Sequence, residues 1–508
     1  MNRILTSILA ASLVLTAHAQ NTISVEGPND GIMLIADTTN VVNNADNQGV
    51  KASKKGKKAK KAKAKKPVVY NEKGEIIKTG LNFGPLPAIA FDADRGFQYG
   101  ALLNIYNFGD GSTYPNPKST WYFEISAYTK GSYKFVINYD DNNLIPGVRM
   151  SFCSGYYNDK ALDFYGFNGY QTKYMLDAED FIDVNDKFAS KIEKGSFPKG
   201  FYRHSRQMIR AKLDFTGELG KNFYWEAGYN FSWTATKSFT PKGYGLKTGS
   251  LYDIFRKTGV ISDKEAKGGI TSALRLGFMY DTRNSENNPT KGIWAEAHIF
   301  AAAKFLGTTH PHYKFTGTFR HYVPFGTDKV VLAYRLAYQG YIGNAPWYVL
   351  PFYSNMGMNG DNDGIGGYRT TRGLMLNRMQ GLHTGFYNIE LRWRFIDFKL
   401  WKQNISFALS AFHDAAHIFK PYDLTNKNAE ALQKEYEIER LTNPNAINYN
   451  DVYNKYVDTS KPDGFHGSAG VGLRFIMNSN FIVALEYAKS FNKQDGNGAF
   501  YINTGFLF

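Results

Sequence analysis

The chain has 508 residues, 43% hydrophobic and 16% aromatic, with a mean hydropathy of −0.40 and a formal net charge of +15. That charge is local: residues 51–66 hold ten lysines and no acid, and without these and Arg3 the balance falls to +4, which argues against nucleic acid as a partner. A lone cysteine, Cys153, excludes an intramolecular disulfide, and the absence of about 18 uninterrupted apolar residues excludes a membrane-spanning helix.

Residues 1–19 have the form of a secretory signal peptide. Arg3 supplies the positive end, 4–16 the apolar stretch, and Ala17-His18-Ala19 a small-x-small cleavage site. Residues 20–84, dominated by the Lys/Ala run, lack the apolar density to bury a core and are expected to be a disordered segment in the periplasm. The folded part is expected over 85–508.

There the chain repeats one pattern, an alternating segment of about ten residues followed by turn chemistry. Sixteen segments begin near 87, 97, 119, 132, 146, 207, 222, 270, 291, 311, 328, 384, 402, 466, 480 and 499. Spacers after the fifth, seventh, eleventh and thirteenth are long, at 157–206, 235–269, 344–383 and 415–465, whereas most even-numbered ones are tight. That parity predicts an all-β fold, a 16-stranded antiparallel transmembrane β-barrel with both termini in the periplasm.

The alternation also assigns faces. Leu274, Leu276, Phe278 and Tyr280 should meet lipid in the eighth strand, with Arg275 and Asp281 inward. In the twelfth, Tyr387, Ile389, Leu391, Trp393 and Phe395 point out, and Asn388, Glu390, Arg392 and Arg394 point in. Ile405, Phe407, Leu409 and Ala411 of the thirteenth point out, while Ser410 and Asp414 point in. The last strand reads 500–508, with Phe500, Ile502, Phe506 and the terminal Phe508 on one face.

Four local motifs narrow the reading. Pro87-Ala88-Ile89-Ala90-Phe91 leads into Phe97-Gln98-Tyr99-Gly100. Asp281-Thr282-Arg283 precedes Pro289-Thr290-Lys291-Gly292 at an even turn. The sixth outer loop carries Gly366-Gly367-Tyr368, then Arg372-Gly373-Leu374 and Asn377-Arg378. The following strands supply Glu390 and Phe412-His413-Asp414-Ala415-Ala416. In this order the motifs resemble those of the BamA/TamA family, the bacterial surface-antigen barrels, and the resemblance covers about 85–508. It implies a protein of the Gram-negative outer membrane that assists insertion or translocation of outer-membrane proteins. It further implies that Arg372 meets the lumenal pair Glu390 and Asp414, holding loop six inside the barrel, with Gly366, Gly367 and Gly373 allowing a tight backbone path.

The resemblance also implies a weak seam between the first and last strands, near Pro87 and Gly505–Phe508, that opens laterally. Pro87 has no N–H to donate to a ladder, and Gly505 weakens the closing strand. Two departures stand out: Leu374 where the family usually has an aromatic, and Ala416 where glycine is common. Members normally carry periplasmic POTRA domains, and none fits 20–84, so the chain reads as a barrel-only relative. The partners implied are outer-membrane lipid, client outer-membrane proteins and a separate periplasmic protein or lipoprotein.

Enzymatic activity is not expected. No G-x-S-x-G motif occurs, and His413 and Asp414, as strand neighbours, point to opposite faces. No cofactor is implied, and Asp361-Asn362-Asp363-Gly364 reads as a turn because the downstream acid of a calcium loop is missing. A passive channel is the alternative function, since barrels of this size often conduct solutes.

Overall fold

A computed structural model describes the chain from residue 69, apart from 71–75, 93–95, 114–116, 130, 176–181, 185–198, 242–243, 286–287, 355–361, 401–402, 478–480 and 505. The signal peptide and the Lys/Ala run lie outside the described residues, as does Asp361. Sixteen strands form one antiparallel sheet in chain order. They are β1 (Leu81–Asp92), β2 (Gly96–Asn107), β3 (Ser119–Tyr128), β4 (Tyr133–Ile145), β5 (Val148–Asp163), β6 (Arg203–Gly220), β7 (Phe223–Ser238) and β8 (Gly268–Asp281). β9 (Gly292–Ala302), β10 (His312–Pro324), β11 (Val330–Gly343), β12 (His383–Leu400), β13 (Gln403–Lys420), β14 (His466–Met477), β15 (Phe481–Ser490) and β16 (Ala499–Thr504) complete it. All sixteen expected strands are present; the first begins at Leu81 rather than 87.

Alternation explains why these segments are strands. Outward side chains such as Leu276, Phe278, Leu391 and Trp393 are exposed, while their inward neighbours Arg275, Glu390 and Arg392 are buried. A charge on the lipid side would cost about 2–4 kcal/mol at mid-bilayer, so this pattern sets the register of every strand. Ile405, expected to point out, is buried, and lies opposite Phe398 beyond a bulge in β12.

Even connections are short because their residues suit tight turns. Asn222 adopts φ 64° between β6 and β7, and Gly326 adopts φ 66° between β10 and β11. Long outer loops, by contrast, build a core of their own. Phe164, Phe167, Phe201, Tyr252, Phe255, Trp347 and Tyr456 are buried together, bringing all four long loops into one apolar cap. Short helices α1 (Leu251–Lys257), α2 (Asp263–Ala266), α3 (Ala429–Glu439) and α4 (Tyr449–Tyr456) lie in these loops. An aromatic-rich loop cluster of this kind is a packed core, not loose surface chain.

The expected 16-stranded barrel sheet is present, but its two ends are not paired, and the expected last strand is corrected. No ladder joins β1 to β16 among the described residues. β16 ends at Thr504, so Phe506 and Phe508 do not continue its outward face. Phe508 is only 6% exposed and packs against Tyr322, Val331 and Ala333. Phe506 lies with Ala408, Ile476 and Ile482. The chain turns inward because the lumen offers these rings arginine partners: Arg392 lies 4.0 Å from the Phe506 ring centre and 5.2 Å from that of Phe508.

Candidate functional site

Inward positions of β12 to β15 place charge in register. Glu390 and Arg392 belong to β12, Asp414 to β13, Arg474 to β14 and Glu486 to β15. Gly470 leaves β14 bare between them, and a Cβ there would collide with the Phe412 ring. Into this patch loop six inserts Arg372, and its guanidinium lies 3.4 Å from the centre of that ring.

The Arg372 side chain is fully buried and all its nitrogens are engaged. Nε and Nη2 donate to the two oxygens of Asp414 at 2.9 and 3.0 Å, a bidentate pair. Nη1 donates to Glu390 Oε2 at 3.0 Å and to Glu486 Oε1 at 2.8 Å. Arg474 spans the same two glutamates at 2.8 and 2.7 Å, and Arg392 reaches Glu390 at 3.0 Å. Three guanidinium groups therefore balance three carboxylates, which is the condition under which such burial is tolerable.

The loop backbone hangs from the same strands. Arg335 and Asn388 donate to the Thr370 carbonyl at 3.3 and 2.7 Å. The Arg372 N–H donates to Asp414 Oδ2 at 2.9 Å, Ser468 Oγ donates to the Arg372 carbonyl, and the Gly373 N–H donates to Tyr501 Oη at 2.8 Å. Gly366, Gly367 and Gly373 have φ of 115°, 78° and 88°, values that side chains disfavour. A Cβ on Gly366 would also strike the Met375 carbonyl oxygen. Gly366→Ala is accordingly expected to destabilise the loop by about 1–3 kcal/mol, read as a lower midpoint in the heat-induced gel shift of the folded barrel.

Leu374 is buried in an apolar cluster with Ala337, Tyr353, Ile365, Met379, Phe386, Ala416 and Ile418. Both departures from the family pattern, Leu374 and Ala416, thus meet in one packed patch.

At the turn between β8 and β9 the motif closes on itself. Arg283 donates from Nε and Nη2 to the two oxygens of Asp281 at 2.9 and 2.7 Å. Gly292 adopts φ 110° where a Cβ would strike the Thr282 carbonyl oxygen, and Pro289 is buried. At the seam, Pro87 pairs with Ala101 of β2; Gly505 lies outside the described residues, and Phe508 sits inside the barrel, its carbonyl accepting from Arg392 at 3.0 Å.

Sequence reasoning missed several groups. Glu486 had a usable signal, since it alternates with Leu485 and Tyr487 on β15. Arg378 had none for its partners. It donates to the carbonyls of Gln494, Gly169 and Thr172 and pairs with Asp495, joining loop six to two other outer loops. Beside it His466 bridges Asp495 at 2.7 Å and Asp463 at 3.0 Å, with the Tyr170 ring stacked 3.8 Å away. Burial and the Asp495 carboxylate push the Tyr170 hydroxyl pKa up, so it remains a donor to that acid.

A model described as an Omp85 superfamily domain matches residues 127–508. No curated protein matches the chain. Among solved structures, BamA from Haemophilus ducreyi lacking POTRA domains 1–3 is 16% identical, with a TM-score of 0.48, over 86% of this chain and 73% of its own. CdiB from Escherichia coli is 9% identical with a TM-score of 0.47, and the match spans 83% of this chain but 61% of CdiB. The family match includes loop six and every carboxylate around Arg372, and it covers well over half of the residues: the chain belongs to the Omp85 superfamily and is an outer-membrane β-barrel.

Proposed function

We propose that this barrel assists insertion or translocation of outer-membrane proteins by opening laterally between β1 and β16. The observation that carries the reading is the mismatch of the sheet's two ends. β1 has twelve residues and β16 six, so even full pairing would leave half of β1 without a partner. Pro85 and Pro87 further remove two donors from β1. Unpaired backbone groups facing lipid are costly and can be satisfied by an incoming strand, which is how a sheet edge templates another chain.

Loop six is the fixed element in this scheme. Arg372, with Glu390, Asp414 and Glu486, clamps it against β12 to β15, so that the seam can move while the lumen stays plugged. Client strands and outer-membrane lipid meet at the seam, and a separate periplasmic protein or lipoprotein delivers the client.

One cysteine in 81–92 and one in 499–504, introduced in a Cys153→Ser background, test the seam. Oxidation is expected to stop accumulation of client barrels in the outer-membrane proteome, and reduction to restore it. Full activity with the seam sealed would exclude lateral opening. A passive channel is disfavoured by the plugged lumen and the apolar outer cap, and large steady openings in single-channel recordings would reverse that preference.

A further inference from the structure

Away from loop six, β7 to β9 hold a second cluster of chemistry. Glu226 of β7 faces Gly277 of β8, and Gly277 faces His298 of β9, so the three form one row across the sheet. Glu296 lies two residues before His298 on the same face of β9. The glycine matters because a Cβ at 277 would strike His298 Cδ2; its absence lets the imidazole reach across β8 to Glu226.

We propose that Glu226, Glu296 and His298 bind one divalent transition-metal cation of the zinc class in the lumenal wall. One ligand atom from each residue lies within 4.8 Å of the other two. His298 Nε2 stands 2.5 Å from Glu226 Oε2. The three residues are 2%, 5% and 1% exposed, and Glu226 Oε1 and Glu296 Oε2 accept no hydrogen bond. Two buried carboxyl groups with open lone pairs are stabilised either by a bound cation or by protonation, and the imidazole beside them favours a cation ligand set.

Nearby cations have other partners in direct contact. Arg275 and Lys212 pair with Asp214, Arg320 covers the Trp294 ring at 4.2 Å, and Lys314 donates to Ser354 Oγ and the Phe352 carbonyl. A nitrogen and two carboxylate oxygens make a borderline donor set that suits Zn²⁺ better than Ca²⁺ or Mg²⁺, and three protein ligands leave one position for water. His298 Nδ1 lies 3.4 Å from Thr316 Oγ1, a contact that orients the ring with Nε2 toward the acids. The ligands sit on two strands, with Glu226 and His298 72 residues apart, so no local spacing motif could reveal them.

The full chain, purified without a polyhistidine tag and stripped with chelator, is titrated with Zn²⁺ and separately with Co²⁺. One equivalent of Zn²⁺ is expected to remain after dialysis, and Co²⁺ should give visible absorption of a low-coordinate site. Glu226→Gln, His298→Gln and Gly277→Ala are each expected to weaken binding ~100-fold or more, while the heat-induced gel shift reports a folded barrel. Should Glu226→Gln fail to fold, His298→Gln, whose amide can still donate to Glu226, carries the test. Wild-type protein that retains no stoichiometric metal, or folded variants that bind like wild type, would overturn the site.

Discussion

Arg372→Ala is expected to release loop six and to destabilise the folded barrel by about 3–5 kcal/mol, the range for removing one partner of a buried ion pair. The reason lies in who is left behind. Glu390 keeps Arg392 and Arg474, and Glu486 keeps Arg474, but Asp414 loses a bidentate partner while remaining fully buried. Limited proteolysis within 366–379, together with the gel-shift midpoint, reads the effect; an unchanged, protease-resistant loop refutes the clamp. Adding Asp414→Asn to Arg372→Ala is expected to recover part of the loss, because it removes the uncompensated charge. The double-mutant cycle then measures the coupling directly. Arg372→Lys should fall between the two, since it keeps the charge and loses the fork that grips both oxygens of Asp414.

Trp347→Ala should loosen the outer cap at a cost of about 3–5 kcal/mol while leaving the strands folded. The indole N–H donates to the Glu265 carbonyl at 3.2 Å, and the ring packs against Phe164, His204 and Tyr252 at 5.6, 5.3 and 5.4 Å. One side chain of loop six thereby stitches together the loops after β5 and β7. New protease cleavage in 164–202 and 239–267, with the heat-shifted barrel band retained, is the expected signature. Conductance should rise if this cap is what closes the outer mouth. Phe305→Ala is the control, because Phe305 is 82% exposed in its loop and its loss should change neither reading.

Much of the fold was legible because a barrel strand carries its address in a two-residue period. Each turn residue then marks where that period restarts. Charge on inward positions located Glu390 and Asp414, while the resemblance of Gly366-Gly367 and Arg372-Gly373 to a family motif implied the loop that meets them. Glu486 followed the same rule and could have been found by it. The partners of Arg378, the His466 bridge and the Glu226–Glu296–His298 cluster could not, since each joins residues far apart in the chain through loop packing or cross-strand register.

Alternation and turn chemistry alone determined the number of strands, their order, and which side of each strand meets lipid, because these depend only on neighbours in the chain. Whether the sheet's ends pair, where the last three residues go, and which acids share one guanidinium were decided by the tertiary structure. Phe506 and Phe508 show the physical reason most plainly. Their spacing fits a lipid-facing strand, yet buried arginines across the lumen attract the rings inward, and β16 is left too short to match β1.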